Sequence, residues 1–305
     1  MGILERVANK NRVSLANQSP VGRSHTCVVR IDDPRVSALH ATLAWSAENQ
    51  RWEARDLGSR NGTTVDGRKL TGHDRVALRE GSELRFANEE VWILKSALPP
   101  VACAIAQDGS ITAAENGLLA LPNAGAPIVC VYEDTDGFWW VDTEARLASD
   151  AETIDAGGLW VLSIPPVPQS SIATTVRLGR TLMLDLLTIR VRHTVDEEHV
   201  ELSLVNDGDE LPPIVRAYNY SLLVLARARL RDHNAGMPEA EQGWMYVEKL
   251  LAMLKMDAEK LNVDIHRARR ELADIGVIDA GAIVERRVSS RQVRLGTHRI
   301  EIIKI

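Results

Sequence analysis

Cysteine, phenylalanine and long apolar runs are what this chain of 305 residues has least of. Its three cysteines, Cys27, Cys103 and Cys130, are scattered and odd in number. They fit neither a disulfide framework nor a zinc knuckle. No run approaches the ~20 apolar residues that span a bilayer. The stretch from Met1 to Arg12 is polar and lacks the apolar core of a secretory signal. The expected setting is reducing and cytoplasmic, away from membranes. Catalytic signatures are missing as well. There is no Gly-x-x-x-x-Gly-Lys-Ser/Thr, no Gly-x-Gly-x-x-Gly after a strand, no His-Glu-x-x-His and no Gly-x-Ser-x-Gly. His25, His73, His193, His199, His233 and His298 show no metal-ligand spacing. The acidic turn Glu133–Asp134–Thr135–Asp136 is too short for a calcium loop and lacks its far-end glutamate. The chain is therefore expected to be no enzyme and to carry no cofactor and no metal.

Basic residues are nearly absent from one region. Residues 100–170 hold a single one, Arg146, against 10 acids, whereas residues 1–99 hold 15 basic and 12 acidic residues. Residues 171–305 hold 20 of each. The net charge of −6 thus hides an acidic middle between two ends able to meet anions. Apolar content of 45% is ordinary for a globular chain, and the length suggests two or three domains.

From Val13 to Leu94 the pattern is short strands split by turns. Strands are expected at Cys27–Ile31, Ala41–Trp45, Trp52–Asp56, Thr64–Val65, Arg75–Ala77, Glu83–Phe86 and Val91–Leu94. Turns are expected at Pro20, Asp32–Asp33–Pro34, Asn61–Gly62, Asp66–Gly67 and Glu80–Gly81. Regular turns between short strands argue for a β-sandwich. On this background lie Gly22–Arg23, then Ser37-x-x-His40, then Ser59–Arg60–Asn61–Gly62–Thr63, then Gly81–Ser82–Glu83–Leu84. Together and in this order, they resemble the forkhead-associated (FHA) family over roughly residues 12–95. The resemblance implies a phosphothreonine-binding sandwich over residues 1–98. A phosphothreonine carries nearly two negative charges and three acceptor oxygens. Arg23 offers guanidinium donors to it, Ser37 a short hydroxyl donor and Arg60 a donor from across the groove. By the same resemblance Asn61 holds the peptide backbone. Gly22, His40, Ser59, Gly62 and Thr63 brace the loops. The sequence departs from the family at Ala38, where a polar ligand contact is usual.

Residues 99–168 read as a β-rich middle segment, with strands at Ile128–Tyr132, Phe138–Val141 and Leu159–Ile164 and a hairpin turn at Asp134–Gly137. Their order faintly echoes the first domain, so a degenerate FHA-like repeat is one reading. Alternation should put Trp139 and Trp140 on opposite faces. Ile164 to Ser171 reads as a linker.

After the linker the period changes. Leu182–Val191 and His199–Val205 look like strands. Tyr218–His233, Val247–Leu254 and Asp257–Ile275 look like helices, the last with Asp257 as N-cap and Gly276 as stop. Strands at Ile283–Val288, Gln292–Leu295 and Arg299–Ile303 follow. Trp244 is expected to pack between the first helix and the next. Over residues 172–305 this order resembles response-regulator-type winged-helix domains, with an antiparallel sheet leading. Leu261, Ile265, Ala268, Leu272 and Ile275 form the core stripe of the third helix. The resemblance makes that helix the reader of double-stranded DNA through Asn262, His266, Arg267, Arg269 and Arg270. Hairpin residues Arg286, Arg287, Arg291 and Arg294 would add phosphate contacts. Glu259 and Asp264 on the same helix argue the other way, because carboxylates repel phosphate.

The architecture expected is thus multidomain: an all-β FHA sandwich, a β-rich middle and an α+β winged helix. One reading is a regulator that couples Ser/Thr kinase signalling to transcription by binding a phosphothreonine-containing kinase or substrate and DNA. It allows the acidic middle to dock on the basic helix. The other is a scaffold whose two end domains both bind proteins and never touch DNA.

Overall fold

The computed structural model describes residues 1–71, 74–87, 90–165 and 182–305. The expected linker lies partly outside these residues, as do His73 and Thr174–Thr175, a pair of threonines that could carry a phosphate for the chain's own groove. The chain divides into two compact units. The first contains Met1–Ala114 and the described stretch from Ser149, and the second contains Glu115–Ala148 and the described stretch to Ile305.

The first unit is built on two facing sheets. One has six strands in the order Arg12–Ser14, Ile3–Arg6, Trp92–Ser96, Glu83–Phe86, Thr63–Val65, Arg68–Lys69. The other has five: Val29–Arg30, Gln18–Gly22, Ala41–Ser46, Arg51–Asp56, Val76–Ala77. Leu4, Val21, Leu43, Trp52, Leu84, Phe86 and Leu94 are among the residues that fill the space between them. Pro20, expected in a turn, sits inside Gln18–Gly22 opposite Thr42. The expected strand Cys27–Ile31 shortens to Val29–Arg30. The first two strands carry too little alternation to be seen in the sequence.

The expected middle domain is not a unit of its own. Its outer strands, Cys103–Ala106, Ile111–Ala113, Thr153–Asp155 and Leu159–Ser163, form one four-stranded sheet in the first unit. Its inner strands, Leu118–Leu121, Val129–Glu133, Trp139–Val141 and Arg146–Leu147, form another in the second unit. Two separate four-stranded sheets do not repeat the six-plus-five sandwich. Trp139 is buried, and Trp140 reaches Asp134 with its indole N–H at 2.7 Å, as alternation requires.

The second unit holds α1 (Asn219–Asn234), α2 (Val247–Leu254) and α3 (Ala258–Asp274). Antiparallel Thr188–His193 and Val200–Asn206 precede them, and Ile300–Lys304 joins that sheet parallel to Thr188–His193. Val284–Arg287, Gln292–Leu295 and Met245–Tyr246 make a three-stranded sheet. α1 is buried on nearly every side and centres the core. Asp257 caps α3 by accepting the Lys260 N–H at 2.7 Å. Leu261, Ile265, Ala268 and Leu272 are buried as the stripe requires, but Ile275 has left the helix and is 41% exposed. No helix among the described residues is long and apolar enough to cross a membrane.

Candidate functional site

The motifs Gly22–Arg23, Ser37–His40 and Ser59–Thr63 converge at one end of the first sandwich. The Arg23 and Ser24 N–H groups donate to the carbonyls of Ser37 and Ala38, both at 3.0 Å, and the His40 N–H donates to Val21. These bonds draw the loop after Gly22 against the loop before His40. Only glycine fits at position 22, because a Cβ there would stand 2.2 Å from the Ala38 carbonyl oxygen.

His40 is fully buried and pins two loops at once. Its Nδ1 accepts the Ser37 N–H at 3.1 Å, which leaves Nε2 to donate to the Gly62 carbonyl at 3.1 Å. Strand alternation sends Trp52, Ala54 and Asp56 inward together. Asp56 thereby stands under the Ser59–Thr63 loop. Its carboxylate accepts the Gly58 and Ser59 N–H groups, the Ser59 hydroxyl at 2.7 Å and the Thr63 hydroxyl at 2.6 Å. Burial opposes its charge, but the Thr63 and Ser59 donors outweigh burial and hold the acid below its usual range. Ser59 in turn accepts the Gly62 N–H, and Gly62 makes the turn with φ of +88°. Asp56 is a bracing residue that the motif reading missed. The signal was present in the Asp-x-x-Ser spacing of a side-chain-capped turn.

On this frame the ligand-facing groups come together. The Arg60 N–H reaches the Ser37 hydroxyl at 3.3 Å, and the Asn61 side-chain amide reaches the Arg35 carbonyl at 2.7 Å. Arg23 and Arg60 are exposed, and neither guanidinium has a partner among the described residues. Two exposed cations, unpaired among the described residues, thus sit on loops that also carry the Ser37 hydroxyl and the Asn61 amide, a set of donors suited to an anion.

The residues assigned to DNA are distributed differently. Arg269 is fully buried, where it meets Asp142 at 2.7 Å, the Val284 carbonyl at 2.9 Å and the ring face of Tyr132 at 5.0 Å. Arg286 reaches the other oxygen of Asp142 at 3.0 Å and donates to Asn262 at 2.9 Å. The buried Asp142 carboxyl is opposed by desolvation, yet the two guanidiniums hold it below its usual range. His266 is 4% exposed, and neither ring nitrogen has a hydrogen-bond partner among the described residues. Burial, with Arg269, Arg270 and Arg267 nearby, pushes it down to about 4.

Asn262, His266, Arg269 and Arg286 are thus inward-facing parts of the fold, not a base-reading face. Asp142, from the part of the middle segment that belongs to the second unit, draws Arg269 and Arg286 inward, and Arg286 engages Asn262. Arg287 and Arg294 lie over the ring of Trp244, at 4.1 and 4.5 Å, and pair with Glu241 and Glu285. Trp244 therefore packs on the hairpin rather than between helices. Arg267, Arg270 and Arg291 are exposed. Among the described residues no group of His, Cys, Asp and Glu could hold a metal ion. The Cys103 and Cys130 thiols are pushed up to about 11 and about 12 by burial.

The family model described as FHA domain matches residues 20–87. A protein phosphatase 2C 70 of Arabidopsis thaliana is 28% identical over 74 residues, which are 24% of this chain and 13% of that protein. This chain therefore spans only a small part of that relative. Two solved structures share the likeness at low similarity. Mycobacterium tuberculosis EmbR in complex with a low-affinity phosphopeptide is 22% identical, covering 32% of this chain and 25% of that one, with a TM-score of 0.29. The FHA domain of the CT664 protein from Chlamydia trachomatis is 22% identical, covering 31% and 96%, with a TM-score of 0.27. The chain carries an FHA domain at residues 20–87.

Proposed function

We propose that this chain reads phosphothreonine in a partner protein and acts as a phosphorylation-dependent signalling regulator. One observation carries the reading: Arg23 and Arg60, exposed and unpaired among the described residues, sit with Ser37 and Asn61 on loops fixed by His40 and Asp56. The guanidiniums match the charge and fork geometry of a phosphomonoester. The Ser37 hydroxyl supplies a neutral donor, and Asn61 addresses the peptide main chain. Ala38 gives no side-chain contact, so affinity is modest. The partner class is a Ser/Thr kinase or one of its substrates, met in the cytoplasm, and the chain is a binder rather than an enzyme. Titration of a phosphothreonine peptide library tests this. Arg23→Ala should abolish binding that the unphosphorylated peptides never show; equal binding by Arg23→Ala sinks the reading.

For the second unit, the order of leading sheet, three helices and closing hairpin favours a winged helix. Coupling to transcription through DNA is the reading that this order supports. The engagement of Asn262, His266, Arg269 and Arg286 inside the unit favours the scaffold reading instead, and we adopt it. A gel shift at varied salt separates the two. A DNA binder loses affinity steeply with salt and depends on Arg267 and Arg270.

A further inference from the structure

The outer face of α3 and the turn before α1 flank an open cleft of about 710 Å³ within the second unit. That volume lies in the range of small-molecule sites, ~300–1,000 Å³. Arg216 and Tyr218 form one wall, and Lys260, Arg267, Arg270 and Glu271 belong to the other.

The charges in the cleft are not equivalent. Arg216 grips Glu271 through two donors at 3.0 and 2.8 Å, and Glu271 also accepts the Tyr218 hydroxyl at 2.7 Å. Lys260 pairs with the buried Asp264. Asp274 accepts the side-chain amide of Asn116 at 3.0 Å. Every carboxylate lining the cleft is thus held by another group. Arg267 and Arg270 are exposed, stand three residues apart on one helix face, and have no hydrogen-bond or ion-pair partner among the described residues. Like charges at that spacing repel each other. An anion seated between them removes the repulsion and gains charge-assisted hydrogen bonds from both forks.

We propose that this cleft binds a small phosphorylated molecule, with its phosphate held by Arg267 and Arg270. A small ligand fits better than a duplex. A long polyanion along α3 would also meet the exposed Glu259, which does not line the cleft. A phosphate entering the cleft meets the two arginines, and the exposed carboxylate beside them, Asp274, is engaged by Asn116.

The test is independent of the phosphothreonine groove. The full chain carrying Arg23→Ala, which silences that groove, is titrated with pyrophosphate by calorimetry. The same titration is run on the chain carrying Arg23→Ala, Arg267→Gln and Arg270→Gln. The expected result is one site whose affinity falls at least tenfold on losing the two arginines, with the helical circular dichroism unchanged. Absent binding, or equal affinity in the two proteins, overturns the proposal. So does a short DNA duplex that binds through Arg267 and Arg270 and is not displaced by pyrophosphate, because the occupant is then nucleic acid. Phosphothreonine-peptide binding by a chain carrying only Arg267→Gln and Arg270→Gln should stay at the wild-type level. Failure of the groove reading is therefore seen separately.

Discussion

Removing Asp142 should destabilise the second unit more than any other single change to a charged residue in it. Arg269 is fully buried, and two of its three guanidinium nitrogens, Nε and Nη1, have no hydrogen-bond partner among the described residues. Its charge is met by Asp142 alone, helped by one carbonyl and the Tyr132 ring. Asp142→Ala would strand that charge, and the second charge of Arg286, in a dry site. Breaking a buried pair from one side costs about 3–5 kcal/mol. For a unit of this size each kcal/mol shifts the melting point by roughly 2–4 °C, so a fall of roughly 6–20 °C is expected. All three α-helices among the described residues lie in this unit, so helical circular dichroism during urea unfolding reports on it. Replacing both partners, Asp142→Leu with Arg269→Met, should recover most of the loss, since no charge is then stranded. A single-variant cost below about 1 kcal/mol, or a double variant as unstable as the sum of the singles, refutes the reasoning. The pair also sets a limit in acid. Its carboxyl lies below the ordinary range, so the stabilisation is complete at neutral pH and is lost as pH falls through the lowered value.

A second pH effect comes from His266, held neutral by burial and three arginines with its value pushed down to about 4. The unfolded chain binds a proton near pH 6.5 and the folded chain does not, so stability falls as pH drops from about 6.5 towards 4, by up to ~1.4 kcal/mol per pH unit. Urea midpoints at pH 5 and 7.5 should show it, and His266→Leu should flatten the profile; an unchanged profile in that variant removes His266 as the cause. In the groove, Gly22→Ala forces a Cβ to 2.2 Å from the Ala38 carbonyl, parting the Arg23 and Ser37 loops. Phosphopeptide affinity should fall at least tenfold, as read by fluorescence anisotropy, and wild-type affinity would show that loop spacing does not matter.

The groove was legible in the sequence because its chemistry is local and its spacing characteristic. Gly22–Arg23, Ser37-x-x-His40 and Ser59–Thr63 each sit on one loop, and the structure brings the loops together through His40 and Asp56. The helices of the second unit were legible for the same reason: the apolar stripe of α3 and its Asp257 cap are written within about twenty residues. What could not be read is the partner of the stripe's flank. Asp142 lies 127 residues from Arg269, and neither residue type announces burial. Opposite the core stripe, Arg267 and Arg270 stayed exposed as expected. On the flank, Arg269 met Asp142 and Asn262 met Arg286 instead. A periodicity analysis assumes one buried face, and α3 has more than one.

The division of the middle segment also decides which experiments can address it. Cys103–Ala106 pairs with Leu159–Ser163 in the first unit, and Glu115–Ala148 between them belong to the second. Gly281 shows how closely they pack there: a Cβ on it would stand 2.4 Å from the Tyr132 ring. Deleting residues 101–168, the obvious way to ask whether the acidic middle restrains α3, would therefore remove all four strands of a sheet in one unit, and a second four-stranded sheet with the counter-charge of Arg269 in the other. Loss of any binding would follow from unfolding alone. The informative perturbation keeps the chain intact. If the middle restrains a DNA-reading α3, the double variant Asp142→Leu with Arg269→Met should leave the fold in place and raise duplex affinity. If the middle is structural, as the complete burial of Arg269 argues, the same variant should leave duplex binding where it was.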